Sequence, residues 1–158
     1  MPAFPSDLLG TILEWARSRP DIRAVVQTGS HVRPGGQPDR WSDLDLELFT
    51  TEPDAYEATD WMAAIAPVWV CLPLSRDDDP RYRRRLTVFE GAAKVDFAIA
   101  PVALLAEFVS RGRLSALYDR GYRVMLDRCA RHQRRRSSRP RTTRACAGAS
   151  PSSSSRGT

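Results

Sequence analysis

The sequence lacks any apolar run long enough to cross a membrane. None of its segments approaches the roughly 18–20 consecutive apolar residues that a spanning helix needs. The first residues, Met1 to Asp7, include neither a basic segment nor a following apolar block, so we expect no secretory signal. With 158 residues, 42% of them hydrophobic and 27% charged, the chain fits one globular domain with its own core and no membrane segment.

Cysteine is scarce, and its spacing excludes the common metal-binding motifs. Cys71, Cys129 and Cys146 are odd in number and form no CxxC pair. We therefore expect unpaired thiols, which are typical of a cytoplasmic protein.

Basic residues are abundant, but they are unevenly distributed. Of the 24 Lys and Arg residues, eight are arginines in residues 131–158, a segment without any acid. Residues 1–130 keep 16 basic and all 19 acidic residues, so their net charge is −3, whereas the whole chain carries +5. The last segment also has almost no bulky apolar side chains to offset its ordering entropy. We predict a folded domain over residues 1–128 and a disordered Arg/Ser-rich tail over 129–158.

The hydrophobic pattern of the first 128 residues alternates between helical and strand periodicity. It predicts an α+β fold in which helices flank a mixed β-sheet. The predicted helices are 6–16, 54–65 and 102–109, and the predicted strands are 22–28, 43–49, 67–72, 84–90, 93–99 and 122–126.

Two of the predicted strands carry acids where apolar residues are expected. Asp43 and Asp45 alternate in one strand, so they point to the same face, although like charges repel and strands are depleted in Asp. Asp96 lies in the apolar strand 93–99, where an unpaired carboxylate would be costly. If the two strands are neighbours, three oxygen ligands converge. Such a site suits Mg²⁺ carrying nucleotide phosphates.

A Gly-Ser pair precedes these acids at the end of the first strand. Gly29 allows close backbone approach, and free amides together with the Ser30 hydroxyl can hold phosphate oxygens. By itself such a pair is usually a simple turn. Its order in the chain, before the Asp-x-Asp strand and the lone Asp, is what indicates nucleotide chemistry.

These segments resemble the aminoglycoside 6-adenylyltransferases, the streptomycin-modifying branch of the DNA polymerase beta-like nucleotidyltransferase superfamily. The resemblance covers roughly residues 5–128, and it is carried by the segments Ile22 to Pro34, Trp41 to Leu46, Phe89 to Phe97 and Tyr122 to Arg128. It implies the polymerase beta-like fold and transfer of AMP from ATP to a hydroxyl of an aminoglycoside.

The resemblance also implies roles for individual residues. Asp43 and Asp45 would hold Mg²⁺ at the triphosphate, and Asp96 would complete the metal site or take the proton of the acceptor hydroxyl. Gly29 and Ser30 would hold terminal phosphates. The family usually has Arg directly after Gly-Ser; here His31 stands in that position, and Arg33 is a nearby substitute.

A second departure concerns the end of the chain. Family members continue into a helical domain that helps form the acceptor pocket, whereas this sequence enters the basic tail. The change resembles the out-of-frame end of a truncated reading frame, and a genuine basic extension is the alternative. A truncated chain would lack part of its acceptor pocket, so its turnover is left open.

Two further functions remain open at this point. The chain could be a minimal nucleotidyltransferase that modifies a protein or RNA. It could also be a non-catalytic protein whose arginine-rich tail binds nucleic acid without sequence specificity. The tail contains no aromatic residue that could stack on bases.

Overall fold

The computed structural model describes residues 7–39, 41–74, 79–112 and 118–129. These residues form two α-helices and one six-stranded sheet. In chain order the elements are α1 (Leu8–Ser18), β1 (Ile22–Thr28), β2 (Leu44–Thr50), β3 (Val68–Leu74), β4 (Arg83–Phe89), β5 (Ala93–Pro101), α2 (Ala103–Arg111) and β6 (Arg123–Asp127). Short 3₁₀ helices span Pro53–Tyr56, Asp60–Ala64 and Tyr118–Arg120.

The sheet is mixed, as the sequence predicts. Its strand order is β3-β4-β5-β2-β1-β6. Within the described residues, β2 and β5 are the one parallel pair, and the other neighbours are antiparallel. The two acid-bearing strands are therefore neighbours, which is the condition under which their acids can converge, and they lie at the centre of the sheet.

The predicted helix over residues 54–65 is wrong. The segment forms two 3₁₀ turns instead, separated at residues 57–59. Tyr56 and Trp61 are both buried, and Trp61 stacks on Trp15 of α1 with ring centroids 5.0 Å apart. These tertiary contacts fix the positions of the two aromatic side chains. Two short 3₁₀ helices place both side chains in these contacts, in the segment where one continuous α-helix was expected.

The main core lies on one face of the sheet. Helix α1 and the first two 3₁₀ helices cover this face, and their buried side chains pack on apolar strand residues. Trp61, for example, meets Phe97 of β5 edge-on at 5.2 Å between centroids. This layer contains most of the buried apolar residues that stabilise the fold. The opposite face of β2 and β5 remains available for polar groups.

A smaller core covers part of that opposite face. Leu104 of α2 and Tyr118 are buried there against small and aromatic strand residues, namely Ala24, Val26, Phe49 and Ala100. The cluster occupies only one end of the face. The other end, where β2 and β5 begin, carries the acids.

A buried carboxylate ties the start of β1 to the end of β2. Asp21 accepts hydrogen bonds from the hydroxyls of Thr50 (2.9 Å) and Tyr56 (2.5 Å). Burial by itself would raise the pKa of Asp21, but these bonds and the nearby Arg19 guanidinium hold it below its usual value. The group therefore stays ionised and helps to fix the register of the two strands.

Several predictions fall outside or at the edge of the described residues. The tail from residue 130 onward and Cys146 lie outside them. Cys71 and Cys129 are free thiols, as expected. No helix among the described residues has the length and apolarity needed to span a membrane.

Candidate active site

Gly29 ends β1 in a conformation that favours glycine. Its φ is +79°, and the backbone amides of Val32 and Arg33 donate to its carbonyl at 3.3 and 3.1 Å, which closes a tight turn. The residue also lies directly against Asp45. A β-carbon at Gly29 would stand 1.9 Å from Asp45 Oδ2, closer than atoms can approach. The Gly-Ser turn is therefore packed onto the acidic strand.

Asp45 and Asp96 are direct neighbours across the parallel pair. They are register partners on β2 and β5, and their side chains line one small cleft. The cleft is bounded by Thr28, Gly29, Asp45, Leu46, Glu47, Arg84, Asp96 and Ala98. The convergence that the sequence predicts for these two acids is present.

Asp43 lies close enough to Asp45 for its charge to act on that carboxylate, but it is not among the described residues that line the cleft. The strand begins at Leu44, one residue later than predicted, so Asp43 precedes β2. Its carboxylate forms an ion pair with Lys94 at 2.5 Å, and Lys94 lies two residues before Asp96 on β5. The charge of Asp43 is thus paired with Lys94 and not with the acids of the cleft.

The electrostatics of the cleft are those of crowded carboxylates. The pKa of Asp45 is raised to about 6, first because the group is buried and then because Asp96 and Asp43 are close. Arg84 and His31 oppose this shift without cancelling it. An additional cation would be favoured here, because it would relieve the repulsion among the acids.

Two side chains of the cleft were not predicted from the sequence. Arg84 of β4 donates to Asp96 Oδ2 at 3.2 Å, and both side chains are mostly shielded from solvent, at 13% and 17% exposed. Glu47 is buried and accepts a hydrogen bond from the Tyr118 hydroxyl; its burial raises the pKa. Glu47 could have been found by extending the alternation of Asp43 and Asp45 by one step. Arg84 offered no such signal, since it lies in a run of three arginines.

The predicted phosphate ligands differ in how close they lie to the acids. Ser30 is half-buried beside Gly29, and the exposed His31 is near enough for its charge to act on Asp45. Arg33 is exposed and does not border the cleft. Of the four predicted phosphate ligands, Gly29 therefore lines the cleft and His31 acts on Asp45 through its charge, whereas Ser30, like Arg33, is not among the described residues that line it.

The donor set fits a hard cation that also binds phosphate. Mg²⁺ prefers oxygen ligands and usually takes one or two carboxylates, leaving its other positions to water and phosphates. Asp45 and Asp96 match that requirement. Across the described residues, however, no three His, Cys, Asp or Glu side chains are grouped closely enough to hold a metal ion by themselves. The roles of the three acids as metal ligands remain a prediction.

A mixed sheet with paired acids beneath a Gly-Ser turn has the architecture of a nucleotidyltransferase. The chain belongs to the streptomycin adenylyltransferase family, whose model matches residues 5–152. That match extends beyond Cys129, where the composition changes. No curated protein sequence matches the chain significantly.

A solved structure supports the same fold. The chain is similar to the crystal structure of an aminoglycoside 6-adenyltransferase from Bacillus subtilis, with a TM-score of 0.52 and 15% sequence identity. The similarity covers 68% of this chain and 40% of that protein, so the chain spans less than half of its length. The predicted α+β nucleotidyltransferase fold is confirmed.

Proposed function

We propose that this protein transfers AMP from Mg·ATP to a hydroxyl of a streptomycin-like aminoglycoside and releases pyrophosphate. One observation carries the proposal. Asp45 and Asp96 face each other across parallel strands, and Gly29 is packed against the Asp45 carboxylate. Nucleotidyl transfer depends chiefly on positioning and charge neutralisation, and this cleft offers both.

The three acids would bind metal and accept a proton at the reacting phosphate. Asp43, Asp45 and Asp96 would hold Mg²⁺, which supplies charge neutralisation for the triphosphate. Asp96 would either complete this metal site or accept the proton of the attacking hydroxyl, as its oxygen bonds to the α-phosphorus and the bond from the α-phosphorus to pyrophosphate breaks.

The turn after β1 would bind the terminal phosphates. Gly29 permits close approach of the backbone, Ser30 offers a hydroxyl, and the exposed His31 is near enough for its charge to act on Asp45. Arg33 is exposed and is not among the described residues that line the cleft, and we assign it a contribution to long-range attraction of the nucleotide.

Calorimetric titration with Mg·ATP tests the nucleotide site. We expect wild type to bind and the double variant Asp43→Asn/Asp45→Asn to lose the binding heat, because both metal-facing charges are removed while the side-chain volume is kept.

The matched control is Glu14→Gln/Asp60→Asn. It removes two exposed acids from elements that cover the other face of the sheet, so its heat should equal that of wild type. Equal heats from wild type and the Asp43/Asp45 variant would refute the proposed nucleotide site.

The acceptor is tested separately with labelled ATP. Incorporation of label into streptomycin supports the aminoglycoside reaction, whereas label in macromolecules of a lysate supports the alternative, a minimal enzyme that modifies a protein or RNA. We place the reaction in the cytoplasm, consistent with the free thiols Cys71 and Cys129.

A further inference from the structure

Arg84 differs from the other arginines of β4 in what it faces. Neighbouring residues of a strand point to opposite faces, so Arg83 and Arg85 are directed away from the cleft. Arg83 pairs with Asp54 and Glu57, and Arg85 donates to the carbonyl of Glu57. Arg84 instead borders the cleft.

Among the described residues that line the cleft, Arg84 is also the one cation. It donates a hydrogen bond to Asp96 Oδ2 at 3.2 Å and lines the same small cleft as Asp45 and Glu47. The charge of one guanidinium thus acts on three carboxyl groups of two neighbouring strands. Because it is only 13% exposed, water screens this effect weakly.

We propose that Arg84 is a positioning residue with two effects on the acids, an inference that rests on the proposed function. It orients the Asp96 carboxylate for AMP transfer, and its positive charge lowers the affinity of the acids for a bare divalent cation. Metal binding would thereby depend on the triphosphate, whose own negative charge offsets the guanidinium.

The reasoning is electrostatic and geometric. A guanidinium holds a carboxylate oxygen in a fixed direction, and outer groups of this kind typically influence activity about 10–100-fold. A fixed positive charge beside the acids also repels a second cation. One partly screened charge at this range should lower the affinity for a metal ion by about a factor of ten. Removal of Arg84 should therefore raise the affinity for the metal ion and lower the rate of AMP transfer.

The test compares Arg84→Met with Arg85→Met, which removes the same charge from the adjacent position on the other face. Mn²⁺ alone is titrated by electron paramagnetic resonance at pH 8, and AMP transfer from labelled ATP to streptomycin is measured in parallel. For Arg84→Met we expect about tenfold tighter Mn²⁺ binding and about 10–100-fold lower kcat, with the KM for ATP changed by less than about threefold. Arg85→Met should match wild type.

Two results would overturn the inference. Unchanged or weaker Mn²⁺ binding by folded Arg84→Met would mean that the guanidinium does not oppose the metal. A rise in KM for ATP with kcat unchanged would mean that Arg84 binds phosphate instead of positioning Asp96.

Arg84→Lys keeps the inference testable if the methionine variant fails to fold. Lysine retains the charge but not the planar fork, so Mn²⁺ affinity should stay within about twofold of wild type while kcat falls about tenfold. A kcat equal to wild type would contradict the positioning role. If wild type itself transfers no AMP, the proposed function fails, and the Mn²⁺ titration still decides the effect of the Arg84 charge.

Discussion

Gly29 shows how a single residue joins the phosphate turn to the acidic strand. Two separate constraints apply to it. Its positive φ disfavours any side chain, and the Asp45 carboxylate occupies the space that a β-carbon would need. Gly35 has a similar φ of +73°, yet a β-carbon there would meet nothing within 4 Å. A comparison of substitutions at Gly29 and Gly35 therefore distinguishes the effect of backbone strain from the effect of contact with Asp45.

We predict that Gly29→Ala loses more stability than Gly35→Ala and that the two variants differ in nucleotide binding. Backbone strain should destabilise the fold by about 1–2 kcal/mol in each, because alanine is strained in the left-handed region, and the clash with Asp45 adds to the loss only in Gly29→Ala. Gly29→Ala should also weaken Mg·ATP binding by about 10–100-fold, since the methyl group displaces the Asp45 carboxylate. Denaturant unfolding and calorimetry give the two quantities. Equal nucleotide affinity in the two variants would contradict the role of this contact.

At the scale of elements, β6 is attached to the helix that opens the chain. Arg128, just beyond the strand, donates to the carbonyls of Arg17 (2.5 Å) and Arg19 (2.8 Å) at the C-terminal end of α1. Its own amide donates to the Arg23 carbonyl at 2.7 Å. A cation is favourable at a helix C-terminus, where carbonyls lack partners.

Arg128→Ala should therefore lower the free energy of unfolding by about 1–3 kcal/mol, through loss of charged hydrogen bonds to backbone carbonyls. Arg123→Ala provides the comparison, because Arg123 is exposed at the other end of β6. Its effect should stay within about 0.5 kcal/mol. Urea denaturation of both variants measures the difference. If the two arginines prove equivalent, Arg128 does not fasten β6 to α1.

The element scale also shows where sequence patterns were sufficient. Every predicted strand is present within about two residues, because alternation and apolar runs report burial on a sheet directly. The failure at 54–65 has the opposite cause. There, Tyr56 and Trp61 are fixed by contacts with Asp21, Trp15 and Phe97, which a local pattern does not contain.

For the whole molecule, the uneven charge separates two regions. The buried residues of both core clusters lie between Leu8 and Tyr118, whereas eight arginines without any acid follow residue 130. The domain boundary at residue 128 remains a prediction, and the family match continues past it to residue 152.

Deleting residues 131–158 should leave the melting temperature and Mg·ATP binding unchanged, since neither described core cluster draws on that segment. Retention on immobilised RNA should fall, because the net charge changes from +5 to −3. Differential scanning calorimetry and RNA retention at two salt concentrations measure these effects. A lowered melting temperature would place the segment within the fold, and unchanged retention would exclude the tail as a nucleic-acid ligand.

The sequence by itself determined which residues are candidates for the chemistry. Alternation predicted that Asp43 and Asp45 share one face, an acid in an apolar strand marked Asp96, and Gly29-Ser30 indicated a turn suited to phosphate. All of these are local properties, which neighbouring residues make visible. Only the tertiary structure decided that β2 and β5 run parallel in a register that opposes Asp45 to Asp96, with Gly29 against the carboxylate. Only the tertiary structure showed that Arg84 borders this cleft. Its contact with Asp96 joins β4 to β5, and the side of the sheet on which that contact meets β2 follows from the strand order, which no local pattern contains.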